Sequence, residues 1–585
     1  MRYKISAPHP VNHLIEIELT VDKPSGEEMI FQLPAWRPGR YELGNFARNI
    51  QRWQACDEKG MPLPYRKTSK DSWQVNVNNA SSVVIKYNYY AAQLDAGACW
   101  LDEHQLYINP VHCMLYVPER MHEHCEVYFE LPMTYKLATS MEKLSEHVVK
   151  AQDYHELVDS PVIASPTLQH KAFTSGSTIF NIWFQGECKP DWDRIVEDFK
   201  KFTEEQIRTM VDFPVNEYHF LVQILPFRYY HGVEHLKSTV LALGPGSNLM
   251  EDSLYIDFLG VASHELFHSW NIKTIRPAEM LPYDYTKENY SRLGFVYEGV
   301  TTYYGDLFLA RAGVYTVDQF FIEISARLQK HFDNYGRFNL SVADSSYDTW
   351  LDGYGSGIPN RKTSIYDEGC LIALMSDLLI RSKSNGQYSL DEVMRTLYRD
   401  FGKRKIGYTE HDYLSIMEKL SGESMADFFV DYIYGTENYQ PLLEEVFGLV
   451  GCQLLKRSSA LDSERYFGFK TIVQDGKTFV KQVAPASVAD LAGLGKDEEI
   501  ISVNEMKVAD NIQELLHLFK GEKIILTTYS PLQIMKDIAL SPSGQEYFHH
   551  YSIRKKDKAG PDEQRLFKAW LKKDFYPEVE INALR

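Results

Sequence analysis

Apolar residues recur at every second position in the early part of this chain and at every third or fourth position in a later part. That change of period limits the fold to a portion built of sheets followed by a portion built of helices. Runs such as HLIEIELTV, SWQVNVN, SSVVIKYNYYAA and HCEVYFELP alternate up to about residue 165 and are parted by turns such as KPSGEE and EKGMPLP. Short alternating strands at close intervals predict a β-sandwich over 1–165. FNIWFQG and EYHFLVQILPF read as further strands, with a helix in DWDRIVEDFKKFTEEQIRTMV between them. Helical spacing then dominates from about 251 to 435, and short strands return from about 455 to 530. The expected class is multidomain α+β.

The 585 residues leave room for three to five domains of roughly 100–200 residues each. A net charge of −18 excludes a broad cationic surface, so neither nucleic acid nor an anionic membrane is an expected partner. No stretch approaches the ~18 apolar residues of a membrane span, and the N-terminus lacks the apolar core of a signal peptide. The seven cysteines (Cys56, Cys99, Cys113, Cys125, Cys188, Cys370, Cys452) are scattered, with no C-x-x-C pair. They read as reduced thiols, and the expected location is cytoplasmic.

The chemistry concentrates in VASHELFHSWNIKTIRP, residues 261–277. His264 and His268 stand four apart, so a helix stacks both imidazoles on one face, where they can share one ion. Catalytic zinc takes three protein ligands and keeps one position open for water. Glu265, next to the first histidine, is placed to take a proton from that water. Downstream, EGVTTYY resembles the E-G-x-x-x-Y helix of zinc peptidases whose third ligand is a glutamate, which points to Glu298. The 29 residues between His268 and Glu298 exceed the usual gap and must loop out. Thr302 stands where an acid would otherwise orient a histidine, so that partner must come from elsewhere.

With HELFHSWNIKTIRP, then PYDY, then EGVTTYY, the chain resembles the glycyl aminopeptidase family of zinc peptidases in the thermolysin-like clan. LPAWRPGRYELGNFARNI is similar to that family's N-terminal β-domain. The resemblance implies a thermolysin-like catalytic domain of mixed sheet plus helices over 166–450, one zinc ion, and peptide substrates with a free N-terminus and a small first residue, Gly or Ala. Gly232-Val233-Glu234-His235 resembles the edge strand whose glutamate holds the substrate α-amino group, with His235 in place of asparagine. Tyr366, three residues before Gly369, resembles the tyrosine that donates to the tetrahedral oxyanion. Glu368 replaces the usual lysine there.

A further segment, RYFGFKTIVQDGKTFVKQVAPASVADLAGLGKDEEIISVN, resembles a PDZ domain over 451–535, ahead of an extension at 536–585. Tyr466, Phe467, Gly468 and Phe469 match its carboxylate-binding loop, which implies a C-terminal peptide as a second partner. The expected function is zinc-dependent removal of N-terminal residues. A zinc endopeptidase, or a PDZ scaffold with a vestigial metal site, are the alternatives. An intact amine anchor at Glu234 separates the exopeptidase from the endopeptidase.

Overall fold

The computed structural model describes residues 1–576 except Tyr354 and Ser356. The first part is sheet-built. Leu14–Asp22 and Ser82–Tyr90 bury alternate residues, as their alternating composition requires, and pair antiparallel in a seven-stranded sheet. Arg2–Ser6 pairs parallel with Cys125–Glu130 in that sheet, so it is mixed. Four-stranded and three-stranded sheets complete this part, and their inward side chains, among them Phe31, Trp73, Leu106 and Ile108, join one core with Ile15 and Ile17.

A five-stranded sheet follows. Its strands are β1 (Gln169–Ser175), β2 (Thr178–Gln185), β3 (Glu217–Ile224), β4 (Tyr229–Glu234) and β5 (Ser238–Gly244), in the order β1-β2-β3-β5-β4. β2, β3 and β5 run parallel and are buried on both faces, which matches their near-continuous apolar sequences. Among the described residues β4 pairs with β5 on one side only and forms the edge.

Helix α1 (Trp192–Met210) and helix α2 (Asp252–Phe267) pack together beside this sheet, and α2 lies against β4 and β5. A π-helical turn, Phe295–Val300, runs directly into α3 (Thr301–Ala312). Then come α4 (Val317–Asp333) and α5 (Asp367–Lys383). The long connection between His268 and Glu298 does loop out, but it is packed: Ile272, Ile275, Met280 and Tyr285 are buried. It docks the N-terminal sheets, with Trp36 Nε1 donating to the Asp284 carbonyl at 2.7 Å and the Ala35 N–H to the Tyr285 carbonyl at 2.7 Å.

The later strands form a separate antiparallel sheet with a core of its own, flanked by Val488–Leu491 and Ile512–Leu518. Its last strand, Met535–Leu540, runs past the end expected at 535, because alternating burial continues through the polar Lys536 and Asp537. Cys452–Arg457 pairs instead with His550–Lys555, so the C-terminal extension takes part in a sheet. No helix among the described residues is long and apolar enough to cross a membrane.

Candidate metal centre and substrate cleft

His264 and His268 lie on adjacent turns at the end of α2, and their Nε2 atoms face each other at 3.0 Å. Glu298 Oε2 lies 3.9 Å from His264 Nε2 and 3.5 Å from His268 Nε2. Three tetrahedral ligands around zinc stand about 3.3 Å apart, given Zn–N and Zn–O distances near 2.0–2.2 Å. The cluster therefore fits such an ion without rearrangement. His268 and Glu298 are almost wholly buried; burial lowers the pKa of His264 well below its usual value, whereas the Glu298 carboxylate, against burial, raises that of His268 to about 10.

The partners that orient these ligands come from separate places. His268 Nδ1 donates to the Asn271 carbonyl at 2.8 Å, which turns its Nε2 towards the cluster. Asn271 is fixed in turn by donating Nδ2–H to the Val296 carbonyl and to Thr301 Oγ1. Tyr41, from the N-terminal β-rich part, donates its hydroxyl to Glu298 Oε1 at 2.8 Å and leaves Oε2 facing the histidines. The expected orienting partner of a histidine is thus a backbone carbonyl rather than an acid. Thr302, at the position in question, has a buried hydroxyl with no hydrogen bond partner.

Backbone contact of two glycines sets the Glu298 turn. A side-chain carbon at Gly299 would collide with Gly369 Cα, and one at Gly369 would lie 2.7 Å from Gly299 Cα. This close crossing brings the start of α5, with Tyr366 just before it, to the same cleft as Glu298. Glu368, at the position of the usual lysine, does not line that cleft. It is buried 2.7 Å from His331 Nδ1 on α4, so its charge is spent inside the helical layer.

The cleft encloses about 400 Å³ and is bordered by β4, α2, α4 and the Arg37–Arg40 loop. Gly232 lies flat against α2: a side chain there would strike the Glu265 carboxylate. Glu265 Oε2 is buried without a partner. Burial pushes the Glu265 carboxyl well above the usual carboxylate range; His268 opposes this, and the Glu234 and Glu298 carboxylates reinforce it. Glu234 is buried at the end of the edge strand, and Gly39 holds a left-handed φ of 84° against it, where any side chain would meet the carboxylate. One ligand atom each from Glu234, Glu265 and His268 lies within 4.8 Å of the others. Val233 points the opposite way into the core, and His235 sits in the turn after the strand. Neither Tyr41 nor the buried Arg37 of the cleft wall stands out in the sequence; the RPGRY run that carries both is the available signal.

Later in the chain, Tyr466 and Phe467 belong to a single π-helical turn, Ser463–Phe467. Gly468, with φ 79°, closes it against Ser487, and Phe469 opens the edge strand Phe469–Gln474. Among the described residues that strand is bonded on one side only, to Lys477–Val483.

A mixed sheet, a helix bearing H-E-x-x-H and a third carboxylate meeting both histidines define a metallopeptidase-type centre. Residues 2–166 match the Peptidase M61 N-terminal domain, and residues 257–372 match the M61 glycyl aminopeptidase family. The chain belongs to that peptidase family. It is similar over 97% of its length to a crystal structure of an aminopeptidase N family protein from Idiomarina loihiensis, at 26% identity and a TM-score of 0.89, covering 99% of that chain. A mutant M1 zinc metallopeptidase from Deinococcus radiodurans, bound to a Tyr-Ser-Ala substrate, is 12% identical over 75% of this chain and 94% of its own, with a TM-score of 0.48. No curated protein matches the chain.

Proposed function

We propose that the protein is a zinc-dependent aminopeptidase that removes one small N-terminal residue, Gly or Ala, from peptides. The observation that carries this reading is the nearness of Glu234 to Glu265 and His268, with ligand atoms within 4.8 Å. Successive Cα atoms are 3.8 Å apart. A peptide whose ammonium pairs with Glu234 therefore has reach for one residue before its carbonyl arrives beside the ligand cluster. An endopeptidase has no use for a buried carboxylate at that spot. The preference for a small residue rests on the family's description as glycyl aminopeptidases.

His264, His268 and Glu298 are the residues that would hold zinc, which supplies an acidified water and a Lewis acid for the scissile carbonyl. Glu265, buried beside that ligand cluster, accepts the proton of the attacking water and delivers it to the leaving amine. Glu234 holds the substrate ammonium, while the unpaired edge of β4 through Gly232 offers backbone groups to the extended peptide. Tyr366 donates its hydroxyl to the developing oxyanion. In this reading the chain combines an N-terminal β-sandwich, a thermolysin-like catalytic unit and a PDZ-like unit, whose Tyr466–Phe469 turn and open strand edge would take a peptide carboxylate.

The test compares peptides with free and acetylated N-termini. Removing one partner of a buried charge pair costs about 2–5 kcal/mol. Glu234→Ala is thus expected to slow cleavage of free-amine peptides at least ~30-fold, at 1.4 kcal/mol per decade, with zinc content unchanged. Equal cleavage of acetylated and free peptides by the wild type, untouched by Glu234→Ala, would make the enzyme an endopeptidase.

A further inference from the structure

Glu234 ends an edge strand, so its direction depends on the turn that follows. In that turn the Leu236 N–H donates to Asp159 Oδ2 at 2.9 Å, and His235 Nδ1 lies 3.2 Å from Asp159 Oδ1. The same carboxylate accepts from Lys273 Nζ at 2.6 Å. Asp159 belongs to neither partner's neighbourhood in the chain. It follows the short helix Tyr154–Val158 at the end of the N-terminal β-rich part. Lys273 lies in the loop after the H-E-x-x-H helix, its N–H donates to the His268 carbonyl at 3.1 Å, and it stands two residues from the carbonyl that orients His268.

The side chains of His235 and Lys273 are each only 3% exposed. Burial alone would raise the Asp159 carboxyl, but Lys273 and His235 hold it well below the usual range, so it is charged at neutral pH. A buried ammonium and two donors of a turn thus converge on one carboxylate, and Asp159 itself does not line the cleft.

We propose that Asp159 is a positioning residue: it ties the turn that carries Glu234 to the loop that carries His268, and so sets the distance between the substrate's ammonium and its scissile carbonyl. This rests on Glu234 being the amine anchor. Without Asp159 the turn loses two bonds, and Lys273 keeps a buried charge with no counter-ion, which drives the loop to rearrange. The chemistry at the carbonyl keeps its groups. What is lost is the register in which a free-amine peptide presents that carbonyl.

A double-mutant cycle on the zinc-loaded full chain tests this, using an alanyl peptide with a free N-terminus and measuring kcat and KM separately. Asp159→Asn is expected to lower kcat/KM roughly tenfold, the scale on which outer residues that orient a functional side chain act, with the loss mainly in KM. In a Glu234→Gln background the same substitution is expected to add less than about twofold, because a residue acting through Glu234 has nothing left to position. Zinc content and melting temperature identify folded, loaded variants. If Asp159→Asn alone does not fold, the cycle is run with Asp159→Asn and Lys273→Met together, which removes both buried charges. Equal losses in both backgrounds, or no loss in either, overturn the proposal while leaving the anchor in place. A Glu234→Gln enzyme as fast as wild type overturns the anchor reading, and this proposal with it.

Discussion

Gly299 and Gly369 touch backbone to backbone, and through that contact the Glu298 turn and the Tyr366 end of α5 face one cleft. Neither glycine has a positive φ, so the demand is for space rather than for conformation. Gly299→Ala must push the π-helical turn away from α5 and take Glu298 with it. Forcing one methyl into so close a contact costs about 1–3 kcal/mol. The expected outcome is a folded protein of lower melting temperature that retains less zinc after dialysis. Full zinc occupancy with wild-type activity would show that the turn yields without moving its ligand.

Tyr41 reaches Glu298 from a loop of the N-terminal part, which contributes no ligand. Its hydroxyl occupies Oε1 and directs Oε2 to the histidines. Tyr41→Phe keeps the ring packed on Tyr297 and removes only that bond. Loss of an outer bond to a metal ligand typically weakens metal binding 10–100-fold, read by competition with a chelator. His264→Ala, His268→Ala and Glu298→Ala should each abolish zinc binding. An unchanged zinc affinity in Tyr41→Phe would reduce Tyr41 to packing.

Glu265 and Tyr366 are tested by the same two readouts, zinc content and kcat. Glu265→Gln should keep zinc and lose ~10²–10⁴-fold in kcat, the worth of a positioned proton acceptor. Tyr366→Phe should keep zinc and lose about 10²–10³-fold, the worth of one oxyanion donor, while KM stays near wild type. If KM rises in Tyr366→Phe and kcat holds, the phenol binds the ground-state peptide instead.

The parts of the site that could be read in the sequence are those whose geometry is local. Four-residue spacing on a helix dictates that His264 and His268 share a face, and the resemblance of Gly232-Val233-Glu234-His235 to a substrate-binding edge strand implies Glu234 at its end. Longer-range contacts leave no such trace. Tyr41 lies 257 residues from Glu298, and Asp159 lies 114 from Lys273. No periodicity brings such residues together; only the docking of the N-terminal sheets on the long loop after His268 does. Glu368 shows the converse. In the linear sequence it stands two positions after Tyr366, but two steps along a helix turn the side chain by about 200°, and here they lead to buried His331. The contact of Gly299 with Gly369 is equally hidden, since the two stand 70 positions apart.

The C-terminal extension is tied to the catalytic helices by buried charge. Arg311 Nε donates to the Trp570 carbonyl at 2.8 Å and Arg381 Nη1 to the Ala569 carbonyl at 2.9 Å. Trp570 Nε1 donates to the Tyr303 hydroxyl at 2.8 Å, on the helix that continues from Glu298. Asp391 compensates these arginines: it accepts both of its 3.0 Å bonds from Arg311 Nη1 and one of 2.7 Å from Tyr304. Burial would raise the Asp391 carboxyl, but Arg311 and Arg381 together hold it far below the usual range. A carboxyl depressed in the folded state stabilises at every pH above its unfolded value, about 3.9, and that contribution fades as pH falls from there towards the folded value. The wild type should therefore lose melting temperature steeply below about pH 4. Asp391→Asn leaves Arg311 buried without its counter-ion, at a cost of ~3–5 kcal/mol, so its melting temperature should be lower at neutral pH. It should also fall less between pH 5 and pH 3 than that of the wild type. Parallel acid profiles for the two proteins would mean that other carboxylates carry the acid sensitivity and that the arginines need no partner at this position.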